Sequence, residues 1–411
     1  MAVTAKRTPN DIVTVSLVTA LCLAGDSMLY IVLPIYWREA GLDALWQVGV
    51  LLAVNRLIRL PFNPLIGALY GRISLKTGLL LAVLLGVITT TGYAFANGFL
   101  AWLALRALWG VAWSLFRIGG LSTVVYCAAD DQRGRAMGLY NGLYRLGSLG
   151  GMLIGGLLVP VFGLPAMALA FGALSLLGIP LLLFGFRAPT GYERAPQATE
   201  SLPMAALAIP SHWRRVVFNG FSIALLVQGV LAATLSALIA YLYGTQVDLL
   251  GVLLGVTALS GLLQAARWSW ETWLGARIGS LSDGPRGRLS LLVAAQAAMA
   301  LGFGSLVLSL PLELWLVMCL LVMLLCTALT TLGDALAADA ARQGHVVRSM
   351  THYSIAQDLG AALGPALAFL LLTVPGGFAW LYGGGALLFA GLAALWWRPL
   401  RDQRHTVSVA K

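Results

Sequence analysis

Ten ionisable side chains sit inside otherwise apolar stretches, and their types and spacing set the chemistry open to this chain. They are Arg56, Arg59, Arg106, Arg117, Arg145 and Arg267, against Asp26, Glu271, Asp334 and Asp358. A charge at the centre of a membrane helix costs about 2.5–3.5 kcal/mol, so each asks for a partner or a function. Arg56 and Arg59 stand one helical turn apart and share a face. Only Asn55 and Asn63 are polar beside them, and two guanidinium forks at that spacing invite a carboxylate or phosphate. Arg106 and Arg117 are about three turns apart and also share a face. Asp26 is the lone acid in the apolar cores of the first half. It can exchange protons, hold a substrate amine, or pair with Arg56 or Arg59.

The predicted substrate-binding set is therefore Arg56, Arg59, Asn63, Arg106, Arg117, Tyr30, Arg145, Tyr353 and Gln357. The predicted proton-coupling set is Asp26, Glu271 and Asp358. Simpler roles stand beside these. Arg267 and Glu271, spaced i, i+4, can neutralise each other, Arg145 and Asp358 can form a closing bridge, and Arg106 can act as a hydrogen-bond hub. Asp339 is expected to be solvated, and Trp268, Trp270 and Trp273 to serve packing. Arg72 and Lys76 with Asp130, Asp131 and Asp283 are expected to form a cytoplasmic gate rather than a ligand site.

These residues need membrane-length helices to hold them. Apolar residues make up 59% of the 411-residue chain and charged residues only 10%, far below the usual ~25% of a soluble domain. Helix-length apolar runs fall at roughly 12–37, 44–69, 77–95, 99–127, 135–159 and 163–186, and again at 215–243, 249–276, 288–309, 312–340, 349–373 and 377–397. The first run follows Lys6 and Arg7, is long, and lacks a small-x-small cleavage site, so it reads as a helix rather than a signal peptide. The polar stretch 187–213 divides a first bundle, 1–186, from a second, 214–411.

The stretch Arg135–Gly156 recurs at Arg348–Phe369. Tyr140, Gly147 and Gly151 meet Tyr353, Gly360 and Gly364, and Arg145 meets Asp358. The two halves are thus duplicated and carry opposite charge at one matched position. Basic residues crowd one side of a twelve-helix topology, which places both termini and the linker in the cytoplasm and the chain in the cell membrane. The net charge of +10 accordingly reflects topology and lipid, not nucleic acid. No metal-ligand spacing, nucleophile elbow or phosphate loop is present in the sequence, which argues against an enzyme. Cys22, Cys127, Cys319 and Cys326 read as small core residues.

The whole chain resembles the major facilitator superfamily. Gly147-x-x-x-Gly151-Met152-x-x-Gly155-Gly156 is similar to the helix-5 signature of its antiporter branch, with Met152 in place of the usual Pro; the second copy keeps Gly364-Pro365. Arg106-x-x-x-Gly110 resembles the helix-4 motif whose arginine faces the central cavity, with Trp109 in place of glutamine. Gly67 to Gly78 resembles the helix 2–3 loop motif without its acid, whereas the repeat copy keeps Asp283. Asp26 to Trp37, with Asn55 to Pro64, resembles exporters of staphylopine-type opine metallophores. The resemblance implies an all-α integral membrane protein, with twelve helices in two pseudo-symmetric bundles, acting as a monomer without cofactor or metal. It also implies a proton gradient driving export of a small anionic or zwitterionic polycarboxylate. A multidrug or lipid-like exporter fits the same fold but not the arginine count. A scaffold or receptor leaves the charges unexplained.

Overall fold

A computed structural model describes residues 9–127, 133–187, 211–249, 251–282, 287–341 and 346–409. Helices α1 (Pro9–Tyr36), α2 (Leu45–Tyr70), α3 (Leu75–Gly92) and α4 (Phe99–Cys127) open the chain. Ser74 caps α3, its hydroxyl accepting from the Thr77 amide at 3.1 Å. The next helical stretch, Arg133–Leu176, breaks at Gly163, where φ is 81° and ψ 159°. That backbone is open essentially to glycine alone, and it separates α5 (133–162) from α6 (164–185). Helix α7 (211–243) contains a π-helical segment, Ala224–Leu231. Then follow α8 (Val256–Ser282), α9 (Arg288–Ser305), α10 (Leu312–Ala341), α11 (Val346–Leu371) and α12 (Gly377–Val409).

Among the described residues, ten segments are long and apolar enough to cross a membrane. One of them, Gly138–Gly185, is the α5–α6 pair, and α8 is the helix that falls short on apolarity, since it carries Arg267, Glu271 and Arg277. The architecture is the expected all-α membrane fold of twelve helices. One expectation fails locally. Leu249 and Val252–Gly255 do not begin a helix but lie in a hairpin, β1 (Gln246–Leu249) against antiparallel β2 (Val252–Gly255). Gly251, with φ 83°, makes the turn that reverses the chain.

The chain divides into two compact units, Met1–Ala206 with Thr257–Ala265, and Leu207–Val256 with Ala266–Lys411. The first is organised by the approach of α5 to α1. A Cβ on Gly147 or Gly151 would run into the backbone carbonyls of Ala20 or Ala24. Lipid offers helices no hydrophobic drive toward one another, so close backbone packing must hold them together. Val18, Cys22, Leu79, Val83, Phe116 and Leu182 fill the core around this contact. The second unit repeats the device. Gly360 lies against the Phe221 carbonyl of α7, and Gly364 against Leu225 and Gly229. Tyr140 covers Gly120 of α4, and Tyr353 reaches Gly333 of α10 in the same register. Cys22, Cys319 and Cys326 are buried free thiols, and Cys127 is a half-buried one.

Alanine at Gly147 or Gly151 should therefore destabilise the purified protein by about 1–3 kcal/mol through overpacking. Alanine at Gly150, where no atom lies within 4 Å of an added Cβ, should be neutral or stabilising. Thermal unfolding in detergent checks both; equal Tm values for the three variants would show that the helix approach is not backbone-limited.

Candidate functional site

In the first unit, four helices bring polar groups to one buried point. Asp26 comes from α1, Asn55 from α2, Arg106 from α4, and Tyr93 from the residue that ends α3. Arg106 is completely buried and Asp26 is 5% exposed. The Arg106 Nη1 donates to Asp26 Oδ1 in an ion pair. Asn55 Nδ2 donates to the same oxygen at 3.3 Å. Arg106 Nε donates to the Leu51 carbonyl at 3.0 Å, and its guanidinium stands 5.9 Å from the Tyr30 ring centre.

Local sequence explains why these groups meet. A Cβ on Gly110 would strike the Asn55 carbonyl, so the glycine one turn beyond Arg106 lets α2 approach α4 at this level. The α5–α1 contact at Ala24 fixes the turn of α1 that carries Asp26. Tyr93 is stacked on Trp102 at 5.1 Å, and Trp102 Nε1 donates to the Ala40 carbonyl.

Asp26 is thus not an isolated acid, and its cationic partner is Arg106 rather than Arg56 or Arg59. Among the described residues, three buried polar atoms of the cluster make no close hydrogen bond, Arg106 Nη2, Asn55 Oδ1 and the Tyr93 hydroxyl, although Arg106 and Tyr93 interact with each other. Buried polar atoms are rarely left unpaired, so the cluster has capacity for another polar group or a rearrangement. Asn55 and Tyr93 are functional candidates that the charge-based sequence reading left out. The signal for Asn55 was its place beside Arg56 and Arg59.

Arg56 and Arg59 are half-buried on α2, and Asn63 is exposed two turns beyond Arg56. Arg59 Nε donates to the backbone carbonyl of Asn55, one turn back on α2, at 3.2 Å. Arg117 donates to Asn141 Oδ1 at 3.2 Å and to the Tyr144 hydroxyl at 3.4 Å. Arg145 is half-buried. Lys76 donates to the carbonyls of Leu183 and Phe186, at 2.8 and 3.3 Å, and so fastens α3 to the end of α6. Arg72 is exposed. Asp130, Asp131 and Asp283, expected at the same gate, lie outside the described residues.

In the second unit, Asp334 Oδ1 accepts from the Tyr353 hydroxyl at 3.1 Å and from Gln357 Nε2 at 2.9 Å. This joins two predicted residues to an acid not assigned to the site. Repeat register carried the signal, because Gln357 matches Tyr144, the partner of Arg117. Arg267 is buried, with its guanidinium 5.5 Å from the Trp268 ring centre. Both Arg267 and Glu271 act electrostatically on Cys326 of α10. Asp358 is half-buried. Asp339, expected to be solvated, is exposed and also forms an ion pair with Arg288. Among the described residues no cluster of His, Cys, Asp or Glu could hold a metal.

Known proteins sharing this sequence and fold are membrane transporters. The family model described as Major Facilitator Superfamily matches residues 15–281. The synaptic vesicular amine transporter of Mus musculus is 30% identical over 162 residues, 39% of this chain and 31% of that protein. The probable vesicular acetylcholine transporter-B of Danio rerio is 30% identical over 180 residues, 39% of this chain and 36% of that one. The chain thus spans about a third of the length of the curated relatives it matches. Among solved structures, a bacterial homolog of the human lysosomal transporter Spinster, inward-facing and occupied, superposes with TM-score 0.74 at 14% identity, covering 96% of this chain and 98% of that one. The nucleoside transporter NupG superposes with TM-score 0.73 at 14% identity, covering 94% and 98%. With more than half its length matched by the family model and the fold shared from end to end, this multi-pass membrane chain belongs to the Major Facilitator Superfamily.

Proposed function

We propose that the protein is a proton-coupled secondary transporter. It exports a small zwitterion bearing an amine and carboxylates, of the opine metallophore type, across the cell membrane. The observation that carries the reading is the buried Asp26–Arg106 pair, with Asn55 on the same carboxylate oxygen. An amine or a proton reaching Asp26 displaces the same interaction. Two ligands that compete for one carboxylate are exchanged rather than carried together, which is the logic of an antiporter. The similarity to vesicular transporters of amines and acetylcholine supports an amino group on the substrate. Arg56 and Arg59, one turn apart on the helix that carries Asn55, supply the forks for its carboxylates.

The competition has a sign. Substrate amine and proton compete for the one Asp26 carboxylate, so affinity falls on acidification. The loss approaches about tenfold per pH unit if one proton is exchanged per substrate. Binding of an opine-type amino-polycarboxylate to purified protein across pH checks this. Affinity that rises on acidification would mean that protonation frees Arg106 for a carboxylate, and the exchange mechanism would be wrong.

Asp26→Asn should abolish gradient-driven accumulation in inside-out vesicles. It also leaves Arg106 without its counter-charge, at a cost of about 3–5 kcal/mol, so the variant is scored only as folded, monodisperse protein. Uphill transport at the parent rate would remove Asp26 from coupling.

Lysine at Arg56 or Arg59 keeps the charge and loses the fork. Each should weaken binding of the anionic substrate nearly as much as alanine does, by about tenfold. Parent-like affinity in both lysine variants, or a parent that prefers purely cationic amines, would count against the arginine assignment.

A further inference from the structure

The second unit holds a cavity of about 680 Å³ between α7, α11 and α12. Its walls are Trp213, Val217, Phe218 and Phe221 of α7, Ala356 and Leu359 of α11, and Leu395 of α12. At the same cavity stand Arg214, Arg215 and His352, all exposed. Among the described residues, none that lines it is acidic. The apolar wall and the cationic group separate by depth. Arg214 and Arg215 stand in the first turns of α7, which starts at Ser211, and Phe221 lies about two turns further along it. His352 precedes Ala356 and Leu359 by one and about two turns on α11, so the cationic side chains lie toward one end of the cavity and Phe221, Ala356 and Leu359 toward the other. Trp396 packs edge-on against His212, which sets α12 beside the start of α7. The first stretch of α7 is amphipathic, with its two arginines beside aromatic and aliphatic side chains.

We infer that this cavity is a binding site for an anionic membrane phospholipid. One acyl chain fills the apolar recess, and the phosphate meets Arg214 and Arg215, with His352 beside them. Basic pockets between membrane helices at an interface recognise such headgroups, and the volume is in the range of ligand sites. A soluble anion satisfies only the mouth, and an uncharged lipid only the recess, so the pairing of the two selects the amphiphile. None of the cavity residues belongs to the Asp26–Arg106 cluster or the Arg56–Arg59 pair, so the site is independent of the transport proposal.

The test uses the full chain in detergent, with native mass spectrometry counting bound lipid and thermal unfolding reading its effect. Phosphatidylglycerol should bind about tenfold more tightly than phosphatidylcholine and raise Tm. The Arg214→Gln/Arg215→Gln variant, altered only at exposed positions, should lose that preference. Ala356→Phe keeps both arginines and fills the recess, and should lose phosphatidylglycerol binding as well. Inorganic phosphate should not reproduce the Tm rise. Equal binding of the two lipids, retention of the preference in the double glutamine variant, or an equal Tm rise with phosphate would overturn the assignment. So would displacement of bound phosphatidylglycerol by an amino-polycarboxylate, which would make the cavity a substrate site. If Ala356→Phe fails to fold, the glutamine variant and the two-lipid comparison decide alone.

Discussion

The structure depends on how closely two helix backbones can approach without side chains between them. Gly147 and Gly151 of α5 rest on the carbonyls of Ala20 and Ala24 of α1. In water, burying a leucine there would draw helices together; in a bilayer it would not, because lipid is as apolar as the core. The contact therefore has to come from dispersion at short range, which demands glycine. It also fixes the depth and rotation of α1, and hence of Asp26 two residues beyond Ala24. Gly110 performs the same service for α2 and α4 at Asn55. The charged cluster is thus a consequence of small-residue packing, and the motif Arg106-x-x-x-Gly110 joins the functional cation to the glycine that admits its neighbour.

Inside that frame the Asp26–Arg106 pair is tolerable because each charge has its counter-charge. Taking two ions from water is costly, and their attraction offsets the cost only with good geometry and further hydrogen bonds. Arg106 gains the Leu51 carbonyl and Asp26 gains Asn55, while Asn55 Oδ1 makes no close hydrogen bond among the described residues. A network satisfied on one side only has an alternative arrangement available when a charged ligand arrives. This is the property a coupling element needs, and a uniformly apolar core of the same volume lacks it.

How much could be read from sequence follows the same physics. Span lengths, the duplicated halves and the intramembrane charges were all legible, because each is set by composition or spacing along one helix. The partner of Asp26 was not. Arg56, Arg59 and Arg106 are chemically alike, and only the Gly110 contact between helices decides among them. Nor was the hairpin over Gln246–Gly255, whose residues are as apolar as a helix start; the one available sign was Gly251, needed for its positive φ. Asp334 was passed over because it lies toward the wet end of α10. Its role shows only when Tyr353 and Gln357 are brought to it from α11.

The two units use one scaffold for opposite polarities. Tyr140 over Gly120 and Tyr353 over Gly333 are equivalent contacts, so the packing positions are fixed in both. The polar positions beside them differ: Arg117 with Asn141 and Tyr144 in one, Asp334 with Tyr353 and Gln357 in the other. Glycine and tyrosine hold the helices at a spacing that neither half can change, whereas the neighbouring polar side chain can carry either sign without altering that spacing. A ligand shifts a conformational equilibrium only by binding one state better than another. In the first unit, the group that can discriminate is a carboxylate already held by an arginine. Opening that pair is favourable only when a proton or another cation replaces what Arg106 supplied. On the proposed exchange mechanism, movement of the first unit is tied to the arrival of charge by the cost of leaving an ion alone in low dielectric.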